Sequence, residues 1–108
     1  MMWYVTDEGR IEIRLRAEGE EAIKVARVKA QTFIANIVGD LSDNLGIDVI
    51  TDEMRYSVSK VRPEVTIIWR ARTVPSTVPA VREYLAKLGG SLDGDTGPET
   101  VEGTVIPE

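Results

Sequence analysis

Arginine is the side chain through which this chain of 108 residues could do chemistry. Nine of its 13 basic residues are Arg, and it contains neither His nor Cys. Without His it lacks the commonest general base near neutral pH, the commonest metal ligand and the usual pH switch. Without Cys it lacks disulfides, thiolate nucleophiles and Cys-based zinc sites. Catalysis would fall to carboxylates, Lys, Arg, Tyr and hydroxyls, and no spacing singles out a carboxylate pair or a Ser-Lys dyad. The reading leans away from an enzyme and names no catalytic residue. What remains is recognition, because guanidinium matches phosphate and carboxylate in a bidentate way.

The arginines recur with the period of a strand. From Arg10 to Ala17, Ile11, Ile13, Leu15 and Ala17 alternate with Arg10, Glu12, Arg14 and Arg16. Strict period two over eight residues reads as a half-buried strand. Glu53–Val61 and Val65–Thr73 alternate likewise and read as a hairpin joined at Arg62-Pro63-Glu64. Their apolar faces would carry Met54, Tyr56, Val58, Val65, Ile67, Trp69 and Ala71, and their other faces Arg55, Arg70 and Arg72. Arg14, Arg16, Arg55, Arg70 and Arg72 are therefore the candidate binding residues for a protein partner or an anionic small molecule. The plainer reading is a solvated sheet face whose arginines pair across strands with Glu12, Glu53 and Glu64. It has the greater weight, since a polar outer face is usual for an antiparallel sheet.

The remaining elements position this face. Met2–Thr6 reads as a short strand, followed by Asp7-Glu8-Gly9 as a turn. A long helix opens at Gly19-Glu20-Glu21, where acids suit the helix dipole. Its stripe is Ile23, Ala26, Ala30, Phe33, Ile34, Ile37 and Leu41; Lys24, Arg27 and Gln31 face water, and Asp43-Asn44 and Gly46 close it. A second helix begins after a cap at Ser76 or Thr77 and ends at Gly89-Gly90. The expected fold is α+β: a small antiparallel sheet with two helices on one face. Its order is β-α-β-β-α(-β), ferredoxin-like, with an extra N-terminal strand. The alternative is two successive β-β-α units. That architecture hosts many functions and implies none.

Charge divides the chain. Residues 91–108 hold Asp93, Asp95, Glu99, Glu102 and Glu108 with no Lys or Arg, and so carry the whole net charge of −5. Residues 1–90 hold 13 acidic and 13 basic groups and read as one neutral domain. The Gly-rich acidic tail reads as loop or linker, with Val101, Val105 and Ile106 giving residues 100–106 weak strand character. These three, with Trp3 and Tyr4, are the candidate interface residues. For Trp3 and Tyr4, one ring is expected in the core and the other outside at a sheet edge.

Several classes are disfavoured. A neutral body lacks the basic excess that drives phosphate-backbone binding, and the outward positions Thr66, Ile68, Arg70 and Arg72 carry no aromatic on which a base could stack. Nucleic acid is therefore not the expected partner, and nine arginines argue against an acidic mimic of it. Asp40, Asp43, Asp48, Asp52 and Glu53 fail the EF-hand register, with Leu45 in the glycine position and Thr51 in the bidentate Glu position. They read as a polar helix exit, and no metal or cofactor is expected. No apolar run reaches membrane-spanning length and no signal peptide is read, so a cytoplasmic location is the default expectation. The leading expectation is a non-enzymatic binding or assembly module, homo-oligomeric, using the arginine face and the tail strand. The runner-up is a small-ligand protein, with or without catalysis, that holds a phosphate- or carboxylate-bearing metabolite or nucleotide with Arg14, Arg16, Arg70 and Arg72.

Overall fold

The computed structural model of the chain describes residues 1–92. Strand β1 (Met2–Val5) and strand β2 (Arg10–Glu18) precede helix α1 (Glu20–Leu45). Strands β3 (Ile50–Val58) and β4 (Glu64–Arg72) precede helix α2 (Val78–Leu92). In element order these are two successive β-β-α units. The sheet runs β1-β2-β4-β3, with every neighbouring pair antiparallel. The fold is thus α+β with a four-stranded antiparallel sheet. The ferredoxin-like order is matched in part: β2 and β3 run parallel with β4 between them, and α1 joins them.

The first hairpin depends on Gly9. Thr6 and Arg10 close the turn through Thr6 N–H to Arg10 O at 2.9 Å, and Gly9 N–H returns to Thr6 O at 3.0 Å. Gly9 has φ of 101°, and a Cβ there would lie 2.1 Å from the carbonyl oxygen of Thr73. Only glycine fits both the dihedral and the approach. The bond from Thr73 N–H to Gly9 O, 2.8 Å, then ties this turn to the end of β4.

One face of the sheet makes the core. Ile11 and Ile13 of β2, Trp69 and Ala71 of β4, and Trp3 and Val5 of β1 pack with Ile34, Ile37 and Leu41 of α1 and Val78, Val81 and Leu85 of α2. A second cluster, Ala26, Ala30, Val65 and Ile67, joins the first half of α1 to β4. α1 ends in an αL cap: Gly46 is left-handed, its N–H bonds Ser42 O, and Ile47 N–H reaches back to Leu41 O. Ile47 is buried in the first cluster beside Leu41's end of the helix, the apolar contact that accompanies this motif.

Some boundaries differ from the sequence reading. The second hairpin lies one to three residues earlier, because Ile50 rather than Glu53 opens β3 and Glu64 opens β4. α2 follows a 3-10 turn, Pro75–Thr77, and no side-chain cap bond is formed there; the Thr77 hydroxyl instead meets Val74 O and the Thr73 hydroxyl. Gly89 and Gly90 do not stop α2, which continues to Leu92. Gly89 is buried, so the missing side chain favours packing at that point as much as it weakens the helix. Tyr84 donates to Asp40 at 2.8 Å and fastens α2 to α1. Burial and that carboxylate push the Tyr84 phenol well above its usual range. Among the described residues no helix is long and apolar enough to cross a membrane.

Candidate functional site

The five expected arginines lie on one sheet face, opposite the helices. Register sets them in rows. The row Tyr4–Glu12–Arg70–Glu53 crosses all four strands. On one side of it lies the row Met2–Arg14–Ile68–Arg55, and on the other Arg10–Arg72–Ile50. Carboxylates therefore run between two rows of guanidinium groups.

Glu12 is the hub, only 3% exposed. It accepts from Arg14 Nε at 2.6 Å, Arg70 Nε at 3.0 Å and Tyr4 Oη at 3.2 Å. Burial alone would raise its pKa, but the hydrogen bonds and charge of Arg14, with the bonds from Arg70 and Tyr4, outweigh it and hold the carboxyl below its ordinary range. Arg70, in turn, is raised by its bond to Glu12 and by that charge.

The other expected arginines also hold carboxylates of the chain itself. Arg55 meets Glu53 at 2.6 Å; Arg16 meets Glu18 at 3.1 Å and Glu64 at 3.2 Å. Arg72 meets Asp52 at 3.1 Å. Asp52 is available because β3 shifts register between Thr51 and Glu53, an extra residue that turns its carboxylate toward the neighbouring strand. Among the described residues only Arg10, of the outer-face arginines, has no ion pair, and it stands directly opposite Arg72. The face is thus a lattice of pairs along and across strands, with most of its charge already neutralised. Arg14, Arg16, Arg70 and Arg72 lie along it, strand beside strand.

Trp3 and Tyr4 are both buried, at 2% and 8% exposed. Trp3 lies in the core. Tyr4 does lie on the outer face, but the ring expected in solvent is covered, because β1 pairs so that Tyr4 stands opposite Glu12. Alternation of Met2 and Tyr4 against Trp3 and Val5 carried that placement in the sequence. Val101, Val105 and Ile106 lie outside the described residues. Among the described residues no three acidic groups gather as a metal cluster. Asp40 is engaged by Tyr84, Asp52 by Arg72 and Glu53 by Arg55.

Among the described residues three strand edges have no strand partner: the outer edge of β1, where Arg82 bonds Val5 O, the outer edge of β3, and the far half of β2. On β3, the bond from Ser59 N–H to Glu64 O fixes which residues face β4. Antiparallel alternation then turns the backbone N–H and C=O of Met54, Tyr56 and Val58 away from the sheet. On β2, Thr6 N–H bonds Arg10 O while Thr73 N–H bonds Gly9 O, so even-numbered residues face β1 and odd-numbered residues face β4. The β1 ladder stops at Met2–Arg14, which leaves the backbone groups of Arg16 and Glu18 pointing past its end.

Beneath that open half of β2 runs a groove of about 740 Å³. Leu15 and Ala17 form its floor, and Val25, Val28, Lys29 and Phe33 of α1 its wall. Val25 is 43% exposed and Val28 64%. The periodic stripe of α1 omits both valines, so the sequence reading missed this groove; two apolar residues off the main stripe were the available sign. Comparison with protein-family models, with characterised protein sequences and with solved structures finds no match to this chain.

Proposed function

We propose that the chain is a non-enzymatic assembly module, a homo-oligomer whose copies join through the outer edge of β3. The observation that carries this reading is the self-complementarity of that edge. β3 is nine residues long and the last strand of the sheet on its side. Two copies related by a two-fold axis at Met54 set the outward backbone groups of Met54 against each other. That register places Glu53 of one copy opposite Arg55 of the other, twice. The two charges already meet within one chain, so pairing across the axis requires only a change of rotamer. The inner side of the joined strands would share half-buried Met54 and Tyr56, the latter covered by the Arg27 guanidinium at 4.1 Å from its ring. The outer arginine lattice stays solvated and sets charge around the joint.

The same reading takes the sheet as ferredoxin-like with an added N-terminal strand, supported by the crossover of α1 from β2 to β3. Light scattering after size exclusion tests the assembly. The full chain should elute as a dimer at tens of micromolar, and Arg55→Glu, which sets like charges opposite one another, should weaken association at least about tenfold. A wild-type chain that stays monomeric at several hundred micromolar would end the proposal.

A further inference from the structure

The geometry points to an occupant for the groove beside β2: the chain's own tail, residues 100–106, its first residues added as a short strand against Arg16 and Glu18. This is a second edge, and the inference does not depend on pairing at β3.

Four observations converge on it. First, the site offers both things a strand needs. The backbone groups of Arg16 and Glu18 face outward beyond β1, and apolar Leu15, Ala17, Val25 and Phe33 lie on the inner side to receive alternate side chains.

Second, the tail starts close by. α2 begins shortly after β4 ends at Arg72 and meets α1 where Tyr84 donates to Asp40. Its remaining eight residues to Leu92 rise about 12 Å. An equal distance back along α1 from Asp40 reaches Thr32, which lines the groove.

Third, the length fits. Residues 93–99 can span about 23 Å, more than the roughly 10 Å between a helix layer and a sheet. Arriving from the Glu18 end, the tail would run antiparallel to β2.

Fourth, the pattern fits. Alternation puts Val101 and Val105 on one face and Glu102 and Thr104 on the other. In the register that sets Val101 beside Ala17, Glu102 lies opposite Arg16 on the outer face and pairing ends before Arg14, which Met2 already holds; Lys29 stands over the groove as a cation for the remaining carboxylates. A tethered strand also enjoys a high effective concentration, which favours the chain's own tail over that of a second copy.

Backbone amide exchange on the full chain reads this directly, because the Arg16 and Glu18 N–H groups would be the ones newly bonded. In the wild type their exchange should be at least about tenfold slower than in the Val101→Asp/Val105→Asp variant, while Glu12 and Arg14 amides exchange alike in both. Equal exchange at Arg16 and Glu18 in the two chains overturns the inference. So does protection that grows with protein concentration, which would assign the groove to a second copy. Repeating the measurement in Arg55→Glu separates the two edges: protection at Arg16 and Glu18 should persist there even when association through β3 is lost.

Discussion

The two halves of β2 have the same alternating sequence and different surroundings. From Arg10 to Arg14 the strand is paired on both sides, by β1 and β4. Its inner Ile11 and Ile13 are sealed in the core, and its outer Glu12 is sealed beneath Tyr4, Arg14 and Arg70. From Leu15 to Glu18 the β1 ladder has ended, the inner side opens on the groove, and the outer Arg16 pairs in solvent with Glu18 and Glu64. The difference originates in β1, which is four residues long against nine in β2. A charge pair on this sheet therefore matters according to whether a neighbouring strand shuts water out above it. Half-exposed arginines meet a sealed carboxylate at one end and more exposed carboxylates at the other.

The largest effect should come from breaking the first half at its turn. Gly9→Ala would drive a methyl group into the Thr73 carbonyl and demand a positive φ of a residue that avoids it. The expected loss is about 3 kcal/mol or more in urea unfolding, an upper-range value for a single substitution. Glu12 and Arg14 amides should then exchange as readily as those beyond the end of β1. A loss below about 1 kcal/mol would show that the turn can yield without cost.

The next effect isolates the hub. Glu12→Gln keeps the shape and removes the charge that Arg14 and Arg70 share, and Glu12→Ala removes the acceptor as well. The Ala variant should lose about 2 kcal/mol, less than a fully buried broken pair because both guanidinium groups reach solvent. The sign with pH follows from the lowered pKa. A carboxyl depressed in the folded state contributes fully above its unfolded value, about 4.3, and loses that contribution as pH falls through the lower folded value. The stability gap between wild type and Glu12→Gln should be greatest above about pH 5 and narrow on acidification. A gap that stays constant down to pH 2 would mean that Glu12 is held by shape rather than charge.

Much of this contrast could be read from the residues. The alternation of β2, β3 and β4 placed Arg14, Arg16, Arg55, Arg70 and Arg72 on one face, because period two leaves no choice once the inner face is apolar. The pairs to Glu12, Glu53 and Glu64 followed from the same alternation. What the alternation could not supply was register. Nothing in Arg10–Glu18 says where β1 stops, so the buried and open halves look alike in sequence. Trp3 and Tyr4 likewise differ only by parity, and both are buried because the turn at Gly9 sets Tyr4 opposite Glu12. The Gly89-Gly90 pair reads as a helix stop by propensity, yet packing of Leu85 and Leu88 carries α2 through it. The groove depended on where β1 stops along β2, a matter of register with no local trace.

The smallest expected effect sharpens the comparison most, because it asks one question of both halves. Double-mutant cycles measure the coupling of two side chains apart from their separate costs. Arg14 and Glu12 meet at 2.6 Å with side chains 52% and 4% exposed; Arg16 and Glu64 meet at 3.2 Å with side chains 62% and 16% exposed. Arg16 also divides itself between Glu18 and Glu64, and Arg62 competes for Glu64 at 3.2 Å, so losing any one contact leaves another in place. Alanine cycles in urea should therefore give a coupling of about 1.5 kcal/mol for Arg14–Glu12 and no more than about 0.5 kcal/mol for Arg16–Glu64. Raising the salt to 1 M should weaken the second more than the first, since screening acts less on a pair whose carboxylate is buried. Equal couplings would mean that distance alone sets the strength of these pairs. A larger Arg16–Glu64 coupling in the full chain, lost in Val101→Asp/Val105→Asp, would instead mean that the tail seals the second half as β1 seals the first.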